Sequence, residues 1–220
     1  MGVLDSLISV LAPHNCLGCG QEGVLLCYGC AQCLPSVPSR CYRCRRRTEN
    51  FRTCQKCRKT SRLSSVFVET IYDGVAKGLI WKLKFDGAQA AATEIAALLK
   101  HFLLDEQLII MPAPTTTTRR RQRGYDQAKL LAQSLASQTG LPYVDGLLRA
   151  GRAHQIGASR TARIQQLAGK FRLRTSLDLR GAHIILIDDV VTTGSTLEAA
   201  ARVCKAAGAA RVEAIAFAQP

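Results

Sequence analysis

The stretch of sequence that decides the fold is residues 184–196, which read IILIDDVVTTGST. Its first four residues form an unbroken apolar run, which is typical of a strand buried on both faces. Two carboxylates end the run, and a hydroxyl-rich turn with one glycine leads into apolar residues at helical spacing. The pattern predicts a central strand, a polar loop and a helix. Because such a loop lies at the carboxyl end of the strand and at the positive end of the helix, we expect it to bind an anion.

The side chains of this loop narrow the choice of anion. Gly194 lets the backbone approach a phosphate closely. Four hydroxyl groups can donate hydrogen bonds to that phosphate: Thr192, Thr193, Ser195 and Thr196. Asp188 and Asp189 would repel it, so we expect them to face a ribose diol or a divalent ion. The alternative is a capped helix whose aspartates only solvate the strand end.

Residues 188–196 resemble the phosphoribosyl pyrophosphate (PRPP) loop of type I phosphoribosyltransferases. The resemblance implies an α/β fold with a mostly parallel sheet flanked by helices, and magnesium bound together with PRPP. It makes Asp188 and Asp189 the catalytic acidic pair that holds the ribose hydroxyls. The phosphoribosyl-binding residues would be Val190, Val191, Thr192, Thr193, Gly194, Ser195 and Thr196.

Nine of the ten cysteines precede residue 58, and eight of them form four CxxC pairs. Two such pairs can place four thiolates around one tetrahedral Zn²⁺. The spacing predicts two structural zinc sites in tandem ribbons, with the ligands Cys16, Cys19, Cys27, Cys30, Cys41, Cys44, Cys54 and Cys57. Sequential and interleaved pairing both remain open, and Cys33 is either a spare or a competitor of Cys30. A disulfide framework and redox-active pairs are the less favoured alternatives.

The ribbon segment is strongly basic. Ten Lys and Arg residues against three carboxylates give residues 1–64 a formal charge of +7, half of the chain's +14. With Tyr28, Tyr42 and Phe51 interleaved, this composition suits a nucleic-acid backbone and stacked bases. The predicted nucleic-acid contacts are Arg43, Arg45, Arg46, Arg47 and Arg52. A solvated basic surface is the alternative.

Two domains are predicted, residues 1–64 with an N-terminal helix and the double zinc ribbon, and residues 65–220 with the phosphoribosyltransferase-like fold. The pattern after the linker predicts a strand over 66–72, helices over 74–85 and 88–104, and a strand over 108–111. The first 12 residues have an apolar stripe but no signal-peptide features, and no apolar run is long enough to span a bilayer. We therefore expect a cytoplasmic protein.

A second basic stretch follows the strand over 108–111. Residues 112–124 read PAPTTTTRRRQRG, and a helix is predicted over 125–137. We expect Arg119 and Arg123, together with Lys84, to bind the pyrophosphate oxygens. A solvated arginine run is the alternative.

The motifs along the whole chain resemble the ComF type of phosphoribosyltransferase-like proteins. They are Tyr72-Asp73-Gly74, Leu83-Lys84-Phe85 and Arg123-Gly124-Tyr125-Asp126-Gln127-Ala128. The family usually has Asn at the position of Asp126 and Leu-His at Thr115-Thr116. Downstream, the resemblance makes Gln155 and Arg163 part of a lid over bound PRPP, and a plain surface loop is the alternative.

Three functions follow as hypotheses. The resemblance implies a PRPP- or ribose-5-phosphate-binding protein that assists the handling of single-stranded DNA in natural transformation. A second hypothesis is an active phosphoribosyltransferase acting on a small base or a nucleic-acid end, although the sequence predicts no acceptor pocket. A third is a zinc-dependent adaptor that docks on helicase or recombination proteins.

Overall fold

The computed structural model describes residues 14–103, 107–115, 123–149, 171–174 and 177–220. Its central sheet has four parallel strands in the order β1-β6-β5-β2. The strands are β1 (Val66–Ile71), β2 (Leu108–Pro112), β5 (His183–Val190) and β6 (Arg211–Gln219). The two inner strands are almost continuously buried, as their apolar runs predict. This topology confirms the type I phosphoribosyltransferase-like α/β fold.

Helices cover both faces of the sheet. Within the described residues they are α1 (Tyr28–Gln32), α2 (Gln55–Arg58), α3 (Gly74–Phe85), α4 (Ala88–Leu99), α5 (Gln127–Thr139) and α6 (Ser195–Ala206). One core cluster contains α3, α4 and α5, and the other contains α6. A short antiparallel pair, β3 (Leu147–Arg149) with β4 (Phe171–Leu173), packs in the α6 cluster.

Two helices differ in length from the predicted ones. The helix α4 ends at Leu99 and continues as a 3-10 turn, Lys100–Phe102. The helix α5 begins two residues later than predicted because the Asp126 carboxylate accepts hydrogen bonds from the amides of Ala128 and Lys129. This capping role explains an aspartate at a position where the resemblance leads us to expect asparagine, since both side chains can cap a helix.

The cysteine-rich segment divides between the two faces of the sheet. Cys16, Leu25 and Leu26 belong to the core cluster of α3, α4 and α5. Tyr42 and Leu63 belong to the cluster of α6. The predicted boundary after residue 64 stays a prediction, and the predicted N-terminal helix lies outside the described residues.

Candidate functional site

The predicted phosphoribosyl loop lies between β5 and α6, at the carboxyl end of a central strand. The amide of Val191 donates to the carbonyl of Ala218 on β6, which fixes the start of the loop (2.9 Å). Gly194 has a φ of 68°, in the left-handed region that glycine adopts without strain. The hydroxyls of Thr193 and Ser195 lie 2.8 Å apart. The structure therefore gathers the predicted hydroxyls at the N-terminus of α6, where an anion is favoured.

The two aspartates lie at the carboxyl end of β5 and differ in their surroundings. Asp189 is buried, and its carboxylate lies 2.5 Å from the ammonium of Lys84 at the end of α3. Burial, and then the neighbouring charge of Asp189, hold the pKa of Asp188 well above its usual range, while Lys84 opposes the shift. Lys84, predicted from the sequence to bind pyrophosphate, is thus brought into the site and paired with a carboxylate there.

Arg123 lies at the same edge of the molecule. Its guanidinium carbon is 5.3 Å from the ring centre of Phe85, next to Lys84 in the sequence. Its Nη1 atom is buried and has no hydrogen-bond partner in the part of the chain that the structure describes. A buried guanidinium nitrogen without an acceptor is costly unless a ligand provides one. Arg119, Gln155 and Arg163 lie outside the described residues, so their predicted roles stay predictions.

A polar cavity of about 90 Å³, which sequence reasoning missed, opens beside the end of β2. Pro112 of this strand pairs with Ile187 of β5, so the cavity borders the site. Its polar lining includes Thr115, Asp126, Lys129, Asp145 and Arg174. Asp145 accepts from Lys129 (2.5 Å) and Arg174 (2.8 Å), which come from distant parts of the sequence. Only folding brings these residues together, so no local pattern indicates the cavity.

Two cysteine tetrads are each suited to hold a metal ion. They are Cys16, Cys19, Cys27 and Cys30, and Cys41, Cys44, Cys54 and Cys57, with all Sγ atoms of a tetrad within 4.8 Å of one another. The pairing is sequential, Cys33 belongs to neither tetrad, and all ten cysteines are free thiols. The tenth cysteine, Cys204, is buried in the core.

The backbone amides around one thiol of each tetrad favour its thiolate form. Hydrogen bonds from the backbone amides of Cys27 and Cys19 lower the pKa of Cys16 to about 6. Burial acts to raise the pKa of Cys41, but hydrogen bonds from backbone amides, led by that of Cys54, outweigh it and lower the pKa to about 7. Thiolates are the form that binds metal.

The second tetrad reaches the phosphoribosyl loop through Tyr42. A Cβ atom added at Gly194 would lie 2.7 Å from the Tyr42 ring, so the ring rests directly on the loop. The Tyr42 hydroxyl donates to the carboxylate of Glu198 on α6 (2.6 Å). Sequence reasoning assigned Tyr42 to base stacking and did not single out Glu198. A glutamate in the first turn of a helix is the usual helix-dipole pattern, so its sequence position gives no sign of the contact.

The five ribbon arginines that were predicted to contact nucleic acid differ in their surroundings, and their role stays a prediction. Arg45, Arg46, Arg47 and Arg52 are exposed, and Arg45 also donates to Gln219 (2.5 Å). Arg43 is half-buried and donates to the hydroxyl of Thr60 (2.7 Å). Of the three aromatic residues predicted to stack on bases, only Tyr28 is exposed. Tyr42 is buried, and Phe51 packs with Phe67 and Phe102. The burial of Tyr42 therefore contradicts its predicted stacking on bases, whereas the stacking of the half-buried Phe51 stays a prediction.

The chain is similar to known proteins over part of its length. A model of the phosphoribosyl transferase domain matches residues 122–220. DNA utilization protein YhgH of Salmonella typhi is 31% identical over 147 residues, covering 61% of this chain and 63% of that protein. Competence protein F of Haemophilus influenzae is 30% identical over 107 residues, covering 47% of each chain. Competence protein ComFC of Bacillus subtilis is 28% identical over 135 residues, covering 60% and 54%.

The chain thus spans less than two thirds of the length of the curated relatives that it matches. Among solved structures, the allosteric regulatory enzyme of purine biosynthesis aligns with a TM-score of 0.40 and 21% identity. The alignment covers 58% of this chain and 25% of that one. No described helix combines the length and the apolar character needed to cross a membrane.

Proposed function

We propose, for a chain that belongs to the ComF-like family, that the loop after β5 binds the phosphoribosyl group of PRPP or ribose-5-phosphate. The observation that carries the proposal is the arrangement at the end of β5. Two carboxylates, one of them paired with Lys84, stand beside hydroxyls gathered around Gly194 at a helix N-terminus. Such a site combines acceptors for a sugar diol with donors for a phosphate.

The charges of the site support a phosphorylated sugar over a bare anion. An anion alone would meet the carboxylates of Asp188 and Asp189, which repel it. A ribose between the phosphate and these carboxylates removes the conflict, because its hydroxyls donate to them. Arg123 brings a guanidinium nitrogen that has no acceptor among the described residues, which suits a pyrophosphate oxygen. Magnesium would accompany PRPP, with oxygen ligands supplied by the pyrophosphate.

The wider role that we propose is assistance in the handling of single-stranded DNA during natural transformation. Support comes from the family, whose relatives include DNA utilization and competence proteins. The exposed arginines Arg46, Arg47 and Arg52 add a positive surface on the ribbons, which suits a phosphate backbone. We propose zinc for both tetrads, since four thiolates at this spacing favour it. A helicase or recombination protein as partner, an adaptor function and a cytoplasmic location stay predictions.

Isothermal titration with ribose-5-phosphate and with PRPP plus Mg²⁺ tests the binding proposal. Thr193→Val removes one predicted phosphate donor and should weaken binding about tenfold. Thr93→Val is a matched control, because the Thr93 hydroxyl donates only to the carbonyl of Gln89 in its own helix (3.0 Å). Absence of heat with both ligands, in folded wild-type protein, contradicts the proposal.

An active transferase is a second candidate, favoured by the cavity beside β2. Its lining offers both donors and acceptors, Lys129 and Asp145 among them, to an incoming base. The test is release of pyrophosphate from PRPP and Mg²⁺ with a panel of bases and DNA ends. Turnover should disappear in Asp189→Asn. No turnover with any acceptor removes this candidate and leaves the binding function in place.

A further inference from the structure

Glu198 is a buried carboxylate that the ribbon segment surrounds with donors. The residue has no exposed surface, although it lies in the first turn of α6. Its Oε2 accepts from the Tyr42 hydroxyl (2.6 Å) and the Ser61 hydroxyl (2.9 Å), and its Oε1 accepts from the Arg62 amide (3.1 Å). Arg202, one turn along α6, adds an ion pair (3.3 Å). A buried carboxylate depends on such donors, because leaving it without them is costly.

The donors are attached to the second cysteine tetrad on both sides. Tyr42 directly follows Cys41 and lies two residues before Cys44. On the other side, the amides of Thr60 and Ser61 donate to the carbonyl of Cys57 (3.1 and 3.0 Å). A tetrad closed around a metal therefore fixes both segments that donate to Glu198, the one with Tyr42 and the one with Ser61 and Arg62. When the tetrad holds no metal, these two segments are free to move apart.

The same contacts reach the phosphoribosyl loop. The amide of Glu198 donates to the carbonyl of Gly194 (2.9 Å), and the Tyr42 ring covers Gly194. Movement of Tyr42 or Glu198 therefore changes the backbone conformation of the loop at Gly194, directly before α6 begins. The loop amides face an anion only while that turn is held in place.

We propose that Tyr42, through its contacts with Glu198 and Gly194, positions the phosphoribosyl loop, and that closure of the second tetrad around its metal sets this position. The inference rests on the proposed function for the identity of the ligand. It makes ligand affinity depend on the metal content of one ribbon. Tyr42 and Glu198 are positioning residues, since neither is placed to touch the sugar phosphate.

The first tetrad provides an internal contrast. Its neighbour Leu17 packs against Gly78 of α3, where an added Cβ would lie 3.3 Å from the leucine side chain. A Cβ at Gly18 would meet Cys30 and Val75, again on the side of α3. These contacts lie on the opposite face of the sheet from α6. Within the described residues, the neighbour of the second tetrad thus contacts the turn at Gly194 directly, whereas the first tetrad packs against α3.

The experiment that tests this inference uses the zinc-loaded chain of 220 residues, with ribose-5-phosphate as the probe. Tyr42→Phe deletes one hydroxyl and keeps the ring, and Tyr28→Phe deletes an exposed hydroxyl as the matched control. Cys54→Ser with Cys57→Ser opens the second tetrad, and bound zinc is counted in each sample. Affinity is measured by titration, and amide hydrogen exchange is followed over residues 191–198 without ligand.

We expect Tyr42→Phe to bind about tenfold more weakly than Tyr28→Phe and to exchange faster over 191–198. In the chain that keeps Tyr42, opening the second tetrad should weaken binding by at least the same factor as Tyr42→Phe does. The same opening should have a smaller effect in the Tyr42→Phe background, because both changes act through one contact. A merely structural role of Tyr42 would lower the unfolding temperature and leave the affinity unchanged.

The outcomes separate the inference from the proposed function. If wild type binds and Tyr42→Phe binds equally well with unchanged exchange, the inference is overturned and the binding proposal stands. If wild type binds neither ribose-5-phosphate nor PRPP with Mg²⁺, the proposed function fails. Amide hydrogen exchange over residues 191–198 then decides the inference by itself. Faster exchange in Tyr42→Phe than in Tyr28→Phe supports the positioning role of Tyr42, and equal exchange overturns it.

Discussion

The ammonium of Lys84, in the last turn of α3, lies 2.5 Å from a carboxylate oxygen of Asp189 at the end of β5. Both side chains are largely buried, with 20% and 9% of their surface exposed. The contact joins two residues more than 100 positions apart and balances one of the two charges of the acidic pair. The Lys84–Asp189 contact and the Tyr42–Glu198 contact together hold the residues on the two sides of the loop after β5.

Lys84→Met should lower the free energy of unfolding at neutral pH by about 2 kcal/mol, because it leaves a buried carboxylate without its cation. The measurement is chemical denaturation followed by circular dichroism. Lys82→Met is the matched control, since Lys82 pairs with the exposed Asp86 and its loss should cost about 0.5 kcal/mol or less. Equal effects of the two substitutions would show that the contact with Asp189 does not stabilise the fold.

Asp188→Asn should raise stability at neutral pH while it removes ligand binding. The pKa of Asp188 is raised in the folded chain by burial and by Asp189, from an ordinary value of 3.8. The stability that its proton contributes is fully present below 3.8 and is lost as the pH rises through the raised value. The wild type should therefore lose stability relative to the variant as the pH rises through this window, as thermal unfolding at a series of pH values would measure.

Asp178→Asn is the control for this pH series. Hydrogen bonds from the Arg180 side chain lower the pKa of Asp178, so its dependence has the opposite sign. The stability that the ionised Asp178 contributes is present above its ordinary pKa of 3.8 and is lost as the pH falls through its lowered pKa. Parallel pH profiles for wild type and Asp188→Asn would contradict the raised pKa of Asp188.

Gly194→Ala should disturb the loop for two reasons that can be separated. The φ of 68° disfavours any side chain by about 1 kcal/mol, and the new Cβ would lie 2.7 Å from the Tyr42 ring. Gly181→Ala shares the first cost, with a φ of 73°, but meets nothing within 4 Å. We expect Gly194→Ala to be less stable than Gly181→Ala by about 1–3 kcal/mol in denaturant titrations. No difference would mean that the ring moves aside freely.

The sequence predicted the parts of the site that local spacing determines. Residues 184–196 and the two cysteine tetrads are where the pattern placed them, because a strand end, a helix start and a CxxC turn each need only neighbouring residues. The contact of Tyr42 with Glu198 joins residues 156 positions apart and leaves no local pattern. The assignment of Tyr42 to base stacking was wrong because its burial depends on Gly194, a distant residue that folds against its ring.

The chain should bind one zinc ion per tetrad, as mass spectrometry under native conditions or elemental analysis would measure. Cys30→Ser should remove the ion of the first tetrad and Cys57→Ser that of the second, since three thiolates hold zinc less tightly than four. Cys33→Ser is the control and should retain both ions, because Cys33 lies outside the tetrads. Loss of an ion in Cys33→Ser would show that Cys33 competes for the first site.

The ribbon arginines should dominate binding to single-stranded DNA if the proposed role is right. Changing Arg46, Arg47 and Arg52 to Ala should weaken binding and reduce the slope of log K against log salt by about 2, because three fewer phosphate contacts release fewer counterions. Fluorescence anisotropy with labelled oligonucleotides at several salt concentrations gives both quantities.

The control for this substitution removes the same charge elsewhere. Arg172, Arg180 and Arg211 are exposed and lie outside the ribbons, so their change to Ala lowers the net charge equally. This variant should keep most of its affinity, because counterion release depends on charges that contact the strand rather than on net charge. If both triple variants lose affinity to the same extent, DNA binding is a property of the whole basic chain and the ribbons are not its site.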